Sequence, residues 1–255
     1  DDVLIKYQYG KLLTRLKKYD DAKTVFSELI NSNPENPNYH YEMAQLFEKL
    51  GDTLSIPTYQ KVFQLDNNHQ KTIFKLARYH LVKRAHDSVS FYVEKGLTTY
   101  PENVELISLK AQNFYWKEYY SDAVIWFEKL LALGEPSEGV HEKLSFCYAR
   151  NSDYDLAIKQ LLLALKYNSN NTDNIFRLGV LYKRNNDYPN AEKYMALALS
   201  MMDVPLDNEY KELATVYNHQ KKYKEAIETL NLAVKENPEN EYPHFILAVT
   251  KDRYY

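Results

Sequence analysis

The chain has 255 residues, 45% hydrophobic and 26% charged, with a formal net charge of −3; this is the balance of an ordinary folded protein, and it excludes a disordered tail or an overall basic field for nucleic acid. No run approaches the ~18 apolar residues of a membrane span; the longest, around Leu161 to Leu165, belongs to a helix pattern. The single cysteine, Cys147, cannot form an internal disulfide and carries no information about redox compartment.

Taken in order, apolar residues recur at the i, i+3, i+4, i+7 spacing of amphipathic helices, in pairs. The first pair spans about 3–36 and exits through Asn33-Pro34-Glu35-Asn36-Pro37. The second, 37–68, is one or two residues short in the turn after Gly51-Asp52, and Pro57 falls in the first turn of its second helix, where proline is tolerated. The third, 69–103, departs most: His80 and His86 stand where aromatics are usual and Gly96 where alanine would serve. Glycine costs about 1 kcal/mol against alanine in a helix, so this pair is expected to be locally the least stable.

The fourth pair, 104–137, carries Trp116 and Trp126 and ends in Gly134-Glu135-Pro136-Ser137-Glu138-Gly139, which reads as a flexible loop between stacked units because the period runs through it. Pairs at 138–171 and 172–206 fit closely, and Met201-Met202-Asp203-Val204-Pro205 lengthens the next junction by one residue. In 207–240 the pattern is plainest. Leu213, Ala214 and Tyr217 share a face of one helix, Ala226, Leu230, Ala233 and Val234 a face of the next, and Asn237-Pro238-Glu239-Asn240 stops the second. A final helix over 241–255 would cover the seventh unit, as solenoid caps do.

The period is about 34 residues. A small residue recurs in the first helix at Gly10, Ala44, Ala77, Ala111, Ser145, Gly179, Ala214 and Ala248. Another opens the second helix at Ala22, Ser55, Ser88 or Val89, Ala123, Ala157, Ala191 and Ala226. Large residues follow three places after the first set at Leu13, Phe47, His80, Phe114, Tyr148, Tyr182 and Tyr217, and a further aromatic marks the turn at Tyr19, Tyr120, Tyr154, Tyr188 and Tyr223. Helix axes approach to about 8–10 Å only where side chains at the crossing are small, so small and large must alternate in register to fill the interior.

On these residues the chain resembles the tetratricopeptide repeat (TPR) family over essentially its whole length, as seven units and an eighth first helix. The resemblance implies an all-α, right-handed α-solenoid of stacked helical hairpins, one superhelical domain over 1–255, whose first helices line a concave groove. Carried onto this sequence, partner-binding positions on that face include Tyr7, Arg15, Tyr41, Lys49, Lys71, Phe74, Arg78, Tyr115, Trp116, Arg150, Phe176, Arg177, Lys183, Arg184 and Asn218. The lining is aromatic and mostly basic, with Lys71, Lys75 and Arg78 forming one cationic stripe at i, i+4, i+7. Aromatic and arginine side chains are enriched at binding hot spots; the same aromatics also suit repeat packing, and Lys and Arg suit any solvated helix. The family's carboxylate clamp is not expected, because Glu42 would repel the carboxylate that such clamps hold.

Catalytic patterns are missing. The seven histidines form no HExxH, no paired cysteines accompany them, and the six glycines build no phosphate-cradling loop. His40, His141 and His244 share one repeat position and read as surface or packed imidazoles, and Cys147 as a packed small residue. The expectation is therefore no enzyme, no metal and no cofactor, but a scaffold that holds a peptide segment of another protein, possibly acidic. The alternative is a regulatory or sensory TPR segment of a larger signalling protein or enzyme. Self-association through the uncapped first helix is a third possibility, and nucleic acid is not expected. A start at Asp1 makes the segment read as trimmed, so the expectation for compartment stays open: soluble, cytoplasmic, or exported if a leader was removed.

Overall fold

The computed structural model describes residues 2–202 and 206–254. Among the described residues there are fifteen α-helices and no strand. The lengthened junction expected at Met201 to Pro205 lies outside the described residues from Asp203 onward, as do Asp1 and Tyr255. The chain divides into two compact units, residues 1–133 and 134–255.

The first unit holds four hairpins: α1 (Asp2–Arg15) with α2 (Tyr19–Ser32), α3 (Pro37–Leu50) with α4 (Ser55–Leu65), α5 (Gln70–Val82) with α6 (His86–Thr99), and α7 (Val104–Trp116) with α8 (Tyr120–Ala132). The second holds α9 (Glu138–Arg150) with α10 (Tyr154–Ala164), α11 (Thr172–Arg184) with α12 (Tyr188–Met201), α13 (Asp207–His219) with α14 (Tyr223–Glu236), and then α15 (Glu241–Tyr254). Within each unit every helix packs against the next in the chain, the solenoid arrangement of stacked hairpins.

The small residues sit at the crossings. Ala44, Ala77, Ala111 and Ala214 of the first helices are fully buried, as are Ala22, Ala123, Ala157, Ala191 and Ala226 of the second. In the third hairpin Val89, fully buried, takes the place that the sequence left between Ser88 and Val89. A Cβ on Gly179 would lie 2.6 Å from Met195 Cγ and 3.1 Å from the Ala191 carbonyl oxygen, so the α11–α12 crossing admits only hydrogen there. The expectation that alanine would serve at Gly96 is corrected: a Cβ at that position would lie 2.2 Å from Leu106 Cδ1. That glycine makes room for the next first helix.

The large residues three places on close the same interior. Leu13 and Phe47 join Phe26, Leu29, Met43 and Leu46 in one buried cluster of the first unit. In the second, Ile175, Phe176 and Met195 pack with Leu213 and Val216. Burying one such side chain contributes about 1.5–3 kcal/mol.

Those large residues also end the helices. The Lys18 N–H donates to the Leu13 carbonyl at 2.9 Å, and the pattern repeats from Asp52 to Phe47, Ala85 to His80, Tyr119 to Phe114, Asp153 to Tyr148, Asp187 to Tyr182 and Lys222 to Tyr217. This six-to-one bond requires a left-handed residue just before the donor. Glycine supplies it only at Gly51; the other turns use Lys17, Arg84, Glu118, Ser152, Asn186 and Lys221, with φ between 58° and 68°. The Asn-rich exits start the following helices: Asn36, Asn103 and Asn171 each accept from a backbone N–H of the first turn at 3.0–3.2 Å. His69 does the same through Nδ1 for the Thr72 N–H, at 3.3 Å.

Candidate functional site

In the second unit the first helices α9, α11 and α13 open a cleft beside their small residues. Phe146 follows Ser145 on α9, Val180 follows Gly179 on α11, and Phe176 and Arg177 precede Gly179 by three and two places. Together with Arg150, Arg184, Ala149 and Leu181 they line a cavity of about 540 Å³, closed at its far side by Asn208 and Glu209 of α13.

The charges are sorted along the helix axes. Arg150 and Arg184 lie in the last turns of α9 and α11, while Asp173 and Glu209 lie in the first turns of α11 and α13. Each sign sits at the helix end whose macrodipole stabilises it. Because successive first helices run the same way, one rim of the cleft is basic, the other acidic, and the floor apolar. Arg177 Nη1 donates to Asn174 Oδ1 at 3.4 Å, which holds its guanidinium on the floor. Arg184 is exposed and has no ion pair among the described residues.

The cleft brings together Arg150, Phe176, Arg177 and Arg184 of the residues expected from sequence. In the first unit, Phe74 and Arg78 share a cleft of about 430 Å³ with Val104, Glu105 and Gln112. Arg78 also borders a cavity of about 730 Å³ with Glu48, Ile56, Tyr59, Lys75, Tyr79 and Val82, opened because α4 begins at Ser55, three residues later in register than the other second helices. Lys75 of the cationic stripe donates to Glu48 at 2.9 Å and Tyr59 Oη donates to it at 2.7 Å. Burial works to raise the Glu48 carboxyl, but these two donors and the Arg78 charge hold it below the usual range.

The other expected residues are placed elsewhere. Tyr7 is half-buried, donates to Glu42 at 3.0 Å and packs on Phe26 and Tyr39; burial, then the Glu42 charge, raises its phenol. Glu42 is itself buried and pairs with Lys11 at 3.6 Å. Tyr41 is buried against Tyr59 and His69 and accepts from Gln45 at 2.7 Å. Tyr115 packs edge-on to Trp116 and Phe127, and the Trp116 face carries the Arg84 guanidinium at 3.6 Å. Lys183 is paired with Glu212, and Asn218 exchanges two hydrogen bonds with Thr250 of α15 at 2.9 and 3.2 Å. Arg15, Lys49 and Lys71 are exposed.

The histidines are braces. His40 and His244, at one repeat position, donate Nε2–H to the carbonyls of Pro34 and Pro238 at 2.7 and 3.0 Å and so hold the proline loops. His141, at the same position, is buried against Gln160 at 2.7 Å. Burial pushes the Cys147 thiol up to about 12. Among the described residues no three His, Cys, Asp or Glu gather as metal ligands, and no helix is long and apolar enough to cross a membrane.

With this geometry in hand, the comparisons with known proteins are informative. Two tetratricopeptide repeat models match the sequence, over residues 176–241 and 6–36. The chain carries tetratricopeptide repeats. A tetratricopeptide repeat protein from Parabacteroides merdae superposes with a TM-score of 0.60 at 13% identity, covering 98% of each chain. A chain of the Naa15/Naa10 complex bound to HypK-THB superposes with a TM-score of 0.64 at 12% identity, covering 99% of this chain and 40% of that one. Human DnaJ homolog subfamily C member 3 is 22% identical over 198 residues, 71% of this chain; the chain spans 39% of that relative's length. At such identities the structural likeness establishes the fold, one common among protein-interaction scaffolds.

Sequence reasoning missed Phe146 and Val180 as lining residues of this TPR protein, although the signal was present: both directly follow the small residue of their helix. It named Arg15, Lys49, Arg150, Arg184 and Arg253 without marking that each lies five places after that residue.

Proposed function

We propose that this TPR protein is a non-enzymatic scaffold that holds a partner protein's peptide segment against its first helices, with the α9–α11–α13 cleft as the principal contact. The observation that carries the reading is the convergence of Arg150, Arg177 and Arg184 around Phe146, Phe176 and Val180. Such a surface suits a segment whose apolar side chain fills the floor while acidic groups meet the basic rim. Phe74 and Arg78 extend the same chemistry in the first unit. The similar chain of the Naa15/Naa10 complex comes from an assembly of several proteins, which fits a scaffold role.

The test is affinity capture from the native cell with the wild type and with the double variant Arg177→Glu/Arg184→Glu. Each exposed pair contributes about 0.2–1 kcal/mol, so losing two attractions and adding two repulsions weakens retention about tenfold at low salt and less at high salt. Retention unchanged at both salt concentrations overturns the reading.

A second reading is a regulatory or sensory segment of a larger signalling protein or enzyme, favoured by the curated relative being much longer than this chain. Sequencing the complete gene decides it. An adjoining catalytic or membrane-spanning segment supports this reading, and its absence favours the scaffold.

A further inference from the structure

One hairpin lacks a helical turn that the others have, and the space it leaves stays open although the helices on both sides are in place. In the six other hairpins the second helix begins three residues before its small residue, at Tyr19, His86, Tyr120, Tyr154, Tyr188 and Tyr223. By contrast α4 begins on its small residue, Ser55. Ser55, Tyr59 and Val62 repeat the spacing of Ala22, Phe26 and Leu29, and Tyr59 and Val62 are as buried as Phe26 and Leu29, so the body of α4 keeps its register and only its first turn is absent. Asp52 stands where the ring of Tyr19 or Tyr188 stands elsewhere, and its carboxylate closes the shortened connection by accepting from the Leu54 N–H at 2.9 Å.

The first helix that follows bears the consequence. Two places after the small residue, Leu46, Asn113, Leu181, Val216 and Thr250 are between 0% and 7% exposed, whereas Tyr79 is 37% exposed. Five places after it Val82 is 75% exposed. With Ile56, Tyr59 and Lys83 these two line the cavity of about 730 Å³, a size typical of ligand pockets.

Intact hairpins show what belongs in that space. The Tyr188 ring, at the start of α12, stacks on His219, five places after Ala214, with ring centroids 4.6 Å apart. Asp155, directly after Tyr154 at the start of α10, accepts from Asn185, six places after Gly179, at 2.8 Å. The corresponding positions on α5 are Val82 and Lys83. An aromatic ring therefore belongs over Val82 and a carboxylate beside Lys83. The charges agree with this. Among the described residues the cavity has one acidic lining residue, Glu48, which already accepts from Lys75 and from the Tyr59 hydroxyl. Arg78 and Lys83 are exposed and have no ion pair among the described residues.

We propose that this notch between α4 and α5 is a second docking site, and that its occupant is a segment of a partner protein in which an aromatic residue is followed directly by aspartate or glutamate. The ring covers Val82 and Tyr79, and the carboxylate meets Lys83 and Arg78. A second copy of this chain is the poorer occupant, because its own Tyr-Asp pairs are used within their units: Tyr19 packs on the cluster around Phe26, and Asp155 holds Asn185.

The probe is an acetylated and amidated peptide of residues 152–159, which contains Tyr154-Asp155, titrated into the intact chain and followed by amide NMR. Saturable shifts are expected at Tyr79, Val82 and Lys83. Affinity should fall several-fold in Lys83→Glu and further in Val82→Glu/Lys83→Glu, and it should fall likewise when the peptide carries Tyr154→Ala or Asp155→Asn. Arg177→Glu/Arg184→Glu should leave it unchanged, so this site and the α9–α11–α13 cleft stand or fall separately. Both substituted α5 positions are exposed, and circular dichroism verifies that the variants are folded. Absence of saturable shifts on α5, or an affinity that ignores Lys83→Glu and Asp155→Asn, overturns the proposal. So does sedimentation showing that the chain alone dimerises and that Val82→Glu dissolves the dimer, which assigns the notch to a second copy.

Discussion

Replacing Gly179 by alanine tests the packing argument with a sign. In a solvated helix the change stabilises, because alanine is the better helix former by about 1 kcal/mol. In α11 the new methyl would lie 2.6 Å from Met195 Cγ, 3.0 Å from the Met195 amide nitrogen and 3.1 Å from the Ala191 carbonyl oxygen. Met195 Cγ can swing aside, but the two backbone atoms move only if α12 moves. Overpacking of this kind costs about 1–3 kcal/mol, so the balance is a loss of up to about 2 kcal/mol after the propensity gain. For a chain of this length that lowers the thermal midpoint by up to about 8 °C, and repeat arrays unfold from their weakest interface, so hydrogen exchange should accelerate first in α11 and α12. Gly139 provides the paired control. Its added methyl meets only the flexible Lys143 Nζ, at 3.6 Å, so Gly139→Ala should be neutral or stabilising by up to about 1 kcal/mol. If both variants shift the midpoint in the same direction, the claim that small residues are dictated by helix approach is wrong.

Ser152 occupies the left-handed region at φ 68°, where a Cβ costs about 1–2 kcal/mol; after the extra unfolded-state entropy of glycine, Ser152→Gly should stabilise by about 0.5–1 kcal/mol in urea denaturation. Burial lowers the His69 and His80 imidazoles. The unfolded chain then binds more protons below about pH 6.5, and the first unit should lose stability as pH falls through that value. Glu48, held low, adds stability present above its unfolded value and lost as pH falls further through its folded one. His69→Asn, which substitutes the capping amide used at Asn36, should flatten the upper of these two steps in denaturation midpoints taken between pH 5 and 8; an unchanged profile counts against the assignment. Cys147 is buried with its thiol raised to about 12, so a disulfide reagent at pH 8 should label it only on unfolding, and rapid labelling of the native chain would contradict that placement.

The hairpins were legible because helix approach imposes small residues at a fixed interval, and that constraint is local and periodic. The left-handed turn residues were not, because the six-to-one bond onto Leu13, Phe114 or Tyr148 forces Lys17, Glu118 and Ser152 into a conformation that their side chains do not advertise. Arg150, Arg177 and Arg184 were legible as basic residues of the first helices; Arg150 and Arg184 share a register that Arg177, two places before Gly179, does not. Tyr41 and Lys183 were harder: one helix position is 100° of rotation, and Tyr41 turns inward against Tyr59, while the Glu212 that pairs with Lys183 comes from the next hairpin. The short turn before α4 was visible, but not its consequence, the exposure of Tyr79 and Val82 on α5 and the cavity beside them.

The central functional claim is that a partner lies along the first helices of the second unit. A photo-activatable phenylalanine analogue placed at Val180, on the floor of the cleft, and separately at Lys159, exposed on the second helix α10, tests it in the native cell. Illumination should join the partner to the Val180 variant and leave the Lys159 variant free. A partner captured at Lys159 and absent at Val180 would contradict the account.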